Sequence, residues 1–329
     1  MVRRAGCHRP AGRGRRRLRP SRQATETPIP SALEDLLRDA PDLRAALPGI
    51  ERAAAVDAPV LLLGEPGSGR TTLARAVHQA SRRASGPLVE VDPGVVPASL
   101  FESELFGHRA GAFTGAAGDV AGRVERAERG SLVLDHVEEL PLSLQPKLLR
   151  LLAEHAYTPL GGRERQADVR FLALGADDLE RRVERGTFRA DLFYRLEVLA
   201  FSLPPLRRRR RDLPALIDRL LADLAERFGR PLPRLDTADR RWMLEHPWPG
   251  NLRQLRNVLE RALVIAEGDV LEVEPPTDSD SAPRPLAEVE RDEIRRALAH
   301  TRGHQGRAAA LLGISRKALW EKRKRYGLP

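Results

Sequence analysis

The stretch Ala58–Ala76, APVLLLGEPGSGRTTLARA, constrains this chain more than any other. Val60–Leu63 is short and wholly apolar, which suits a strand buried on both faces of a parallel sheet. Gly64–Thr71 follows as Gly-Glu-Pro-Gly-Ser-Gly-Arg-Thr, and Leu73–Ser81 has the spacing of an amphipathic helix. Strand, glycine-rich turn and helix N-terminus make a phosphate cradle, because backbone N–H groups converge and the helix dipole favours anions. The P-loop pattern is met at Gly64, Gly69 and Thr71, and it wants Lys where this chain has Arg70. The candidate nucleotide-binding residues are Gly64, Glu65, Gly67, Ser68, Gly69, Arg70, Thr71 and Thr72. An ordinary glycine turn is the competing reading, and the flanking strand and helix weigh against it.

Ser131–Asp135, SLVLD, is an apolar strand ending in an acid, a form whose carboxylate helps hold a divalent metal. Thr71 and Asp135 are thus the candidate Mg²⁺ ligands. His136 follows directly, and Glu138 and Glu139 come too far past the strand end to aim at the same point. Leu88–Val91 and Val169–Leu174 are further short strands; Leu144–Glu154 and Asp178–Arg185 read as helices. Strands alternating with helices predict an α/β fold around a parallel sheet.

Cys7 is the only cysteine, which excludes intramolecular disulfides and thiolate zinc clusters and fits a reducing, cytoplasmic setting. No apolar run approaches membrane-spanning length, and the arginine-rich start lacks the apolar core of a secretory signal. The net charge of +10 is uneven. Residues 1–30 carry nine Arg against one Glu, and residues 286–329 carry eleven basic against five acidic side chains. The body between is mildly acidic, so nucleic-acid contact is expected at the ends. A general arginine bias is the alternative, since only four lysines occur.

Residues 1–30 are expected to be a disordered basic tail, a plain tail or the product of a misplaced start codon in preference to a weak nucleic-acid arm, and too short for a receiver or ligand-sensing domain. Ser31–Ala55 has the spacing of short helices. In Gly111-Ala-Phe-Thr-Gly-Ala116, small residues surround one Phe and one Thr; such a segment cannot build a core but can present Phe113 outward, and composition alone favours a mobile surface loop. Leu203–Asp212, LPPLRRRRRD, marks a boundary by its prolines, and its arginines suit a solvated face better than a nucleic-acid patch. Leu213–Phe228, Thr237–His246 and Asn251–Glu267 read as three helices of a lid, with Asn251 as an N-cap. Residues 274–285 read as a linker. Leu286–Thr301, Gln305–Leu312 and a basic helix capped by Ser315 have helix-turn-helix spacing, with Arg316, Lys317, Lys322, Arg323 and Arg325 as DNA-binding residues. Arg316 and Lys317, in the first turn, are placed for base edges, and Lys322 and Arg325 for phosphates.

Read together, these stretches resemble the sigma-54-dependent transcriptional activators, bacterial AAA+ proteins with a Fis-type helix-turn-helix. The most specific motif is the intact Gly111–Ala116 segment, preceded by Glu102-Ser-Glu-Leu-Phe-Gly-His108. Phe188-Arg-Ala-Asp-Leu, Leu203-Pro-Pro-Leu-Arg207 and Trp248-Pro-Gly-Asn-Leu-Arg253 also match. The resemblance implies an AAA+ α/β subdomain over residues 31–206, a helical lid over 207–273 and a DNA-binding domain over 286–329. It implies ATP with Mg²⁺, a hexameric homo-oligomer, DNA upstream of the promoter, and contact of residues Gly111, Ala112, Phe113, Thr114, Gly115 and Ala116 with sigma-54 RNA polymerase. By the same resemblance Asp135 and the residue after it are catalytic, Arg189 and Arg195 reach a neighbouring subunit's nucleotide, and Arg253 senses the nucleotide of its own subunit.

Four positions depart from that pattern. Arg70 replaces the lysine, and His136 replaces the glutamate expected after the Walker B aspartate. Asp92 stands where an asparagine switches that glutamate, and Gly175 and Ala176 stand where a polar sensor pair is usual. A positioned general base contributes roughly 10²–10⁴ in rate, so hydrolysis is expected to be slow or absent while binding survives. Asp92 is expected to pair with His136, replacing the Asn–Glu contact. A regulator that holds nucleotide and DNA without turnover is the alternative reading.

Overall fold

A computed structural model describes residues 31–266, 268 and 270–273, and residues 290–326 apart from 292, 296, 299–300 and 302–303. The expectations for residues 1–30 and for the linker at 274–285 lie outside the described residues.

Five parallel strands form the central sheet: β1 (Val60–Gly64), β2 (Leu88–Val91), β3 (Ser131–Leu134), β4 (Arg170–Gly175) and β5 (Leu199–Leu203), in the order β2-β3-β4-β1-β5. Val60 pairs in register with both Leu172 of β4 and Leu199 of β5, so β1 lies inside the sheet. Its apolar residues alternate between two cores. Leu61, Leu132, Leu134 and Phe171 join a cluster with Phe101, Phe106 and Leu148. Leu62, Val133, Leu172 and Leu174 join the opposite cluster with Leu73, Val77 and the N-terminal Leu33, Leu37 and Leu43. A strand covered by helices on both faces must be apolar at every position, which is why β1 reads as a continuous run. The edge strand β5 escapes sequence reading because its alternate residues Leu199, Phe201 and Leu203 are interleaved with Ala200 and Ser202.

The lid is a separate cluster. Helices Leu213–Arg227, Thr237–Glu245 and Asn251–Ile265 enclose Leu213, Ile217, Met243, Trp248, Leu255 and Leu259. The C-terminal helices Gln305–Leu311 and Arg316–Arg325 close over Ala308, Ala309 and Leu319, with Ile294 and Ala297 from the preceding helical residues. Ser315 caps the last helix as expected: its Oγ accepts the Ala318 N–H at 3.1 Å.

Two readings need correction. Asn251 does not cap its helix; Gly250 occupies that position, and Asn251 is the first helical residue. Arg207, Arg208, Arg210 and Arg211 are exposed, so most of the arginine run is the solvated face expected, and within the run Arg209 alone turns inward. Arg207 pairs with Glu65 at 2.5 Å, Arg211 with Asp42 at 2.7 Å, and Arg209 is buried against Asp212 at 2.9 Å. Arg209 differs from its neighbours through Asp212 in the same buried turn, which no local charge pattern marks out.

Asp212 is completely buried and accepts the N–H groups of Asp42 (2.8 Å) and Leu43 (3.1 Å). These are first-turn donors of the helix Pro41–Ala46, which have no partner within their own helix. Arg209 reaches on to the Ser68 carbonyl at 3.3 Å. One buried pair therefore joins the N-terminal helices, the lid entrance and the glycine-rich turn. Asp212→Ala would strand a buried guanidinium and two helix donors. It should cost roughly 3–5 kcal/mol, read as a drop in the urea midpoint of the full chain against Arg208→Ala as a surface control.

Candidate nucleotide site and protein-contact loop

The cradle sits where β1 meets the helix Arg70–Gln79. Intrahelical bonding begins at the Leu73 N–H, which goes to the Gly69 carbonyl at 3.0 Å. The N–H groups of Arg70, Thr71 and Thr72 thus belong to the open first turn and face the end where the dipole favours anions. Gly67 and Gly69 have φ values of 76° and 104°. Ser68 Oγ is buried with no hydrogen-bond partner, a donor left for a ligand in the turn. Thr71 Oγ1 lies 3.3 Å from Asp135 Oδ2, so the two candidate metal ligands come together across β1 and β3. A hydroxyl and a carboxylate form the oxygen donor set that Mg²⁺ takes. Both border a cavity of about 460 Å³ whose far wall is built by Leu36, Ala40, Leu216, Leu220 and Arg253.

The lid is bonded directly to the turn. The Leu252 N–H donates to the Gly67 carbonyl at 2.9 Å. The Asn251 amide donates to Glu65 Oε2 at 3.1 Å and to the Pro66 carbonyl at 3.2 Å, while its Oδ1 accepts the Leu206 N–H at 2.7 Å. A Cβ at Gly67 would meet the Gly250 carbonyl at 2.7 Å, so lid and turn touch at a place only glycine can occupy. The Arg207 guanidinium, and after it the Asn251 amide, holds the Glu65 carboxyl below its ordinary value. A depressed carboxylate contributes its stability above the unfolded value and loses it as pH falls through the folded one, so this clamp is at full strength at neutral pH.

Residues 111–116 form the tip of a hairpin whose base pairs Gly107 with Ala121 and His108 with Val120. The Gly111 N–H reaches the Ala116 carbonyl at 2.9 Å, and the Arg109 N–H reaches the Leu160 carbonyl at 3.0 Å. Gly111 and Gly115 adopt φ values of 80° and 104° in open space, so they serve backbone conformation and not packing. Phe113 is 39% exposed and rests edge-on against His108, with ring centroids 5.0 Å apart. The surface loop read from composition is thus a hairpin tip carrying an aromatic outside both cores.

Residues 36–202 match the Sigma-54 interaction domain, residues 207–279 the AAA+ ATPase lid domain, and residues 285–326 the bacterial regulatory proteins of the Fis family. The chain belongs to the sigma-54-dependent transcriptional regulators. It is 42% identical to the alginate biosynthesis transcriptional regulatory protein AlgB of Pseudomonas aeruginosa, covering 90% of this chain and 70% of AlgB. It is 39% identical to the C4-dicarboxylate transport regulator DctD of Rhizobium meliloti, covering 95% and 68%. Among solved structures it is similar to NtrX from Brucella abortus, with a TM-score of 0.66, 31% identity, and coverage of 91% of this chain and 72% of that one. The fold is accordingly an AAA+ α/β domain with a parallel sheet and helical lid, followed by a Fis-type helix-turn-helix.

Within this sigma-54 regulator the departures from the family pattern contact one another. His136 Nδ1 lies 2.9 Å from Asp92 Oδ2, as the sequence reading expects. A carboxylate only accepts, so Nδ1 is the donor in this contact. His136 adopts φ 48°, and its N–H is held by Asp135 Oδ1 at 2.9 Å. Arg70 is buried and donates from Nη1 to the Gly64 carbonyl at 2.9 Å and to the Gly175 carbonyl. The guanidinium therefore bridges the ends of β1 and β4 beside the position that carries no side chain. A Cβ at Gly175 would sit 3.2 Å from Leu63 and 3.3 Å from Val137. Glu138 turns from the cavity: its Oε2 accepts the Ala176 N–H at 3.2 Å.

Arg189 and Arg195 stand away from the chain's own cradle. Arg189 is exposed and paired with Asp191 at 2.7 Å. Arg195 donates to the Leu152 carbonyl at 3.3 Å and borders a second cavity, at the opposite ends of the strands, with Asp57 and Arg170. On the last helix Arg316 and Lys317 are exposed, whereas Lys322 is half-buried and paired with Glu290, and Arg323 is half-buried with its Nε unpartnered. The Arg325 side chain lies outside the described residues. Sequence spacing missed the inward turn of Lys322 because Glu290 lies 32 positions upstream. Asp92→Ala should shift the His136 ring from the Nδ1–H toward the Nε2–H tautomer, read in long-range ¹H–¹⁵N spectra, with the helical signal unchanged.

Proposed function

We propose that this regulator binds ATP with Mg²⁺, engages sigma-54 RNA polymerase through residues 111–116, and is anchored to upstream DNA by residues 286–329. It works as a hexameric ring in the cytoplasm, with residues 31–206 as the nucleotide-binding unit, 207–273 as the lid and 274–285 as the linker to the DNA-binding end. The observation that carries this reading is Phe113, an aromatic held outside both cores at the tip of a hairpin. No helix among the described residues is long and apolar enough to cross a membrane.

ATP fits the open first turn at Arg70–Thr72 and the cavity beside it; the similar NtrX was solved both with ATP and with ADP. Thr71 and Asp135 would hold Mg²⁺, which shields phosphate charge when bound. Gly64, Glu65, Gly67, Ser68 and Gly69 shape the turn, Thr72 and Arg253 border the bound phosphates, and Arg189 and Arg195 serve a neighbouring subunit. The Arg189–Asp191 pair is solvent-exposed, so exchanging that partner for a phosphate costs little. Asp135 and His136 remain the catalytic pair of this reading, with Asp92 orienting the imidazole.

Phe113→Ala should weaken binding of sigma-54 by about 30-fold while leaving nucleotide affinity unchanged, measured by fluorescence anisotropy with an ATP analogue present. Equal binding of wild type and variant overturns the contact. The second reading is a regulator that holds nucleotide with little turnover, favoured by Arg70 engaged on two strand-end carbonyls and by His136 in the glutamate position. Steady-state phosphate release across protein concentrations separates the two. Turnover that climbs with assembly supports the first; saturable binding without phosphate release supports the second.

A further inference from the structure

The last helix carries one feature that charge does not explain. Trp320 is 55% exposed, although its neighbour Leu319 is 1% exposed in the domain core. At the helical angle of about 100° per residue, Arg316, Trp320, Lys324 and Lys317 fall within roughly 100° of arc. Leu319 and Lys322 lie on the other side, and Lys322 is paired there with Glu290. The three exposed cations thus surround one exposed indole, with Lys324 Nζ 5.5 Å from the centre of its ring. A large aromatic left half in water at the centre of a cationic stripe is placed to meet an anionic partner that also has an apolar feature.

We propose that Trp320 is a specificity-determining residue of the helix-turn-helix: in the major groove its indole packs against the 5-methyl group of a thymine. The rest of the stripe supplies the setting. Arg316 and Lys317 in the first turn reach base edges, and Lys324, one turn past Trp320, meets the phosphate backbone. Thymine is the base that carries an apolar group in the major groove, so an indole there discriminates where a further cation cannot. Glu321, exposed at the border of the stripe, disfavours a register that brings phosphate to that side. The proposal rests on this domain binding DNA, which its match to the Fis family supports.

The test uses the full chain at one fixed salt concentration. Preferred duplexes are first selected from a random pool, and each thymine is then replaced singly by uracil, which removes only the methyl group. With wild type, one replacement per half-site should weaken binding about fourfold, the effect of one buried methyl. With Trp320→Ala that replacement should have no effect, whereas Arg316→Ala should retain it. Trp320→Phe, which keeps an apolar ring, should retain part of it; thermal melts of all variants check that they fold. If no thymine is sensed, or if Trp320→Ala senses the same thymine as wild type, the proposal is overturned. If Trp320→Ala instead changes the sedimentation of the free protein and leaves the uracil pattern intact, the indole is a contact between copies and the proposal is also overturned. A chain that selects no DNA at all fails the domain reading itself, a result distinct from these.

Discussion

Everything in the nucleotide-binding body depends on the seam between the lid and the glycine-rich turn. The Asn251 amide donates across it to Glu65 and Pro66 while its Oδ1 accepts the Leu206 N–H, a set that takes two N–H donors and an acceptor on one side chain. The backbone adopts φ 54° at Asn251, a conformation that asparagine tolerates better than most residues. Beside it Gly250 and Gly67 approach closely enough that a Cβ on either would collide with its neighbours. A phosphate entering the turn therefore acts on atoms that already touch the lid. The turn and the lid share one set of hydrogen bonds, so a ligand in the turn needs no long relay to reach the lid.

The second buried joint works at the other side of the same turn. Asp212 and Arg209 are almost wholly shielded from water, and each uses its remaining hydrogen-bonding capacity on backbone: Asp212 on the first turn of a helix near the N-terminus, Arg209 on the Ser68 carbonyl. A buried ion pair contributes little net stability compared with apolar packing, but breaking it leaves an uncompensated charge. Its value lies in geometry, since it fixes where three segments of chain must meet.

Two substitutions that look like losses in the sequence become paired in three dimensions. Asp92 and His136 hydrogen-bond at 2.9 Å, so a carboxylate–imidazole contact takes the place of an amide–carboxylate one. Arg70 and Gly175 also meet, the longer cation reaching the carbonyl of a residue that has no side chain of its own. The departures from the family pattern thus meet in pairs. An arginine is bulkier than the lysine it replaces and presents a planar fork in place of a point charge, and the carbonyls of Gly64 and Gly175 accept that fork.

What the sequence determined by itself is the local structure and the inventory of chemistry. Short apolar runs specified β1 to β4, glycine spacing specified the cradle, and Ser315 specified the start of the last helix, because such runs and caps act over a few residues. Tertiary structure alone decided who partners whom. Asn251 bonds to Glu65 across 186 positions, Asp212 to Asp42 across 170, and Lys322 to Glu290 across 32. Hence Arg209 looked solvated like the rest of its run and proved buried, Asn251 looked like a cap and proved a clamp, and Lys322 looked free and proved turned inward. Such partnerships depend on distance in space, which packing of both sheet faces and the lid sets and no local pattern records.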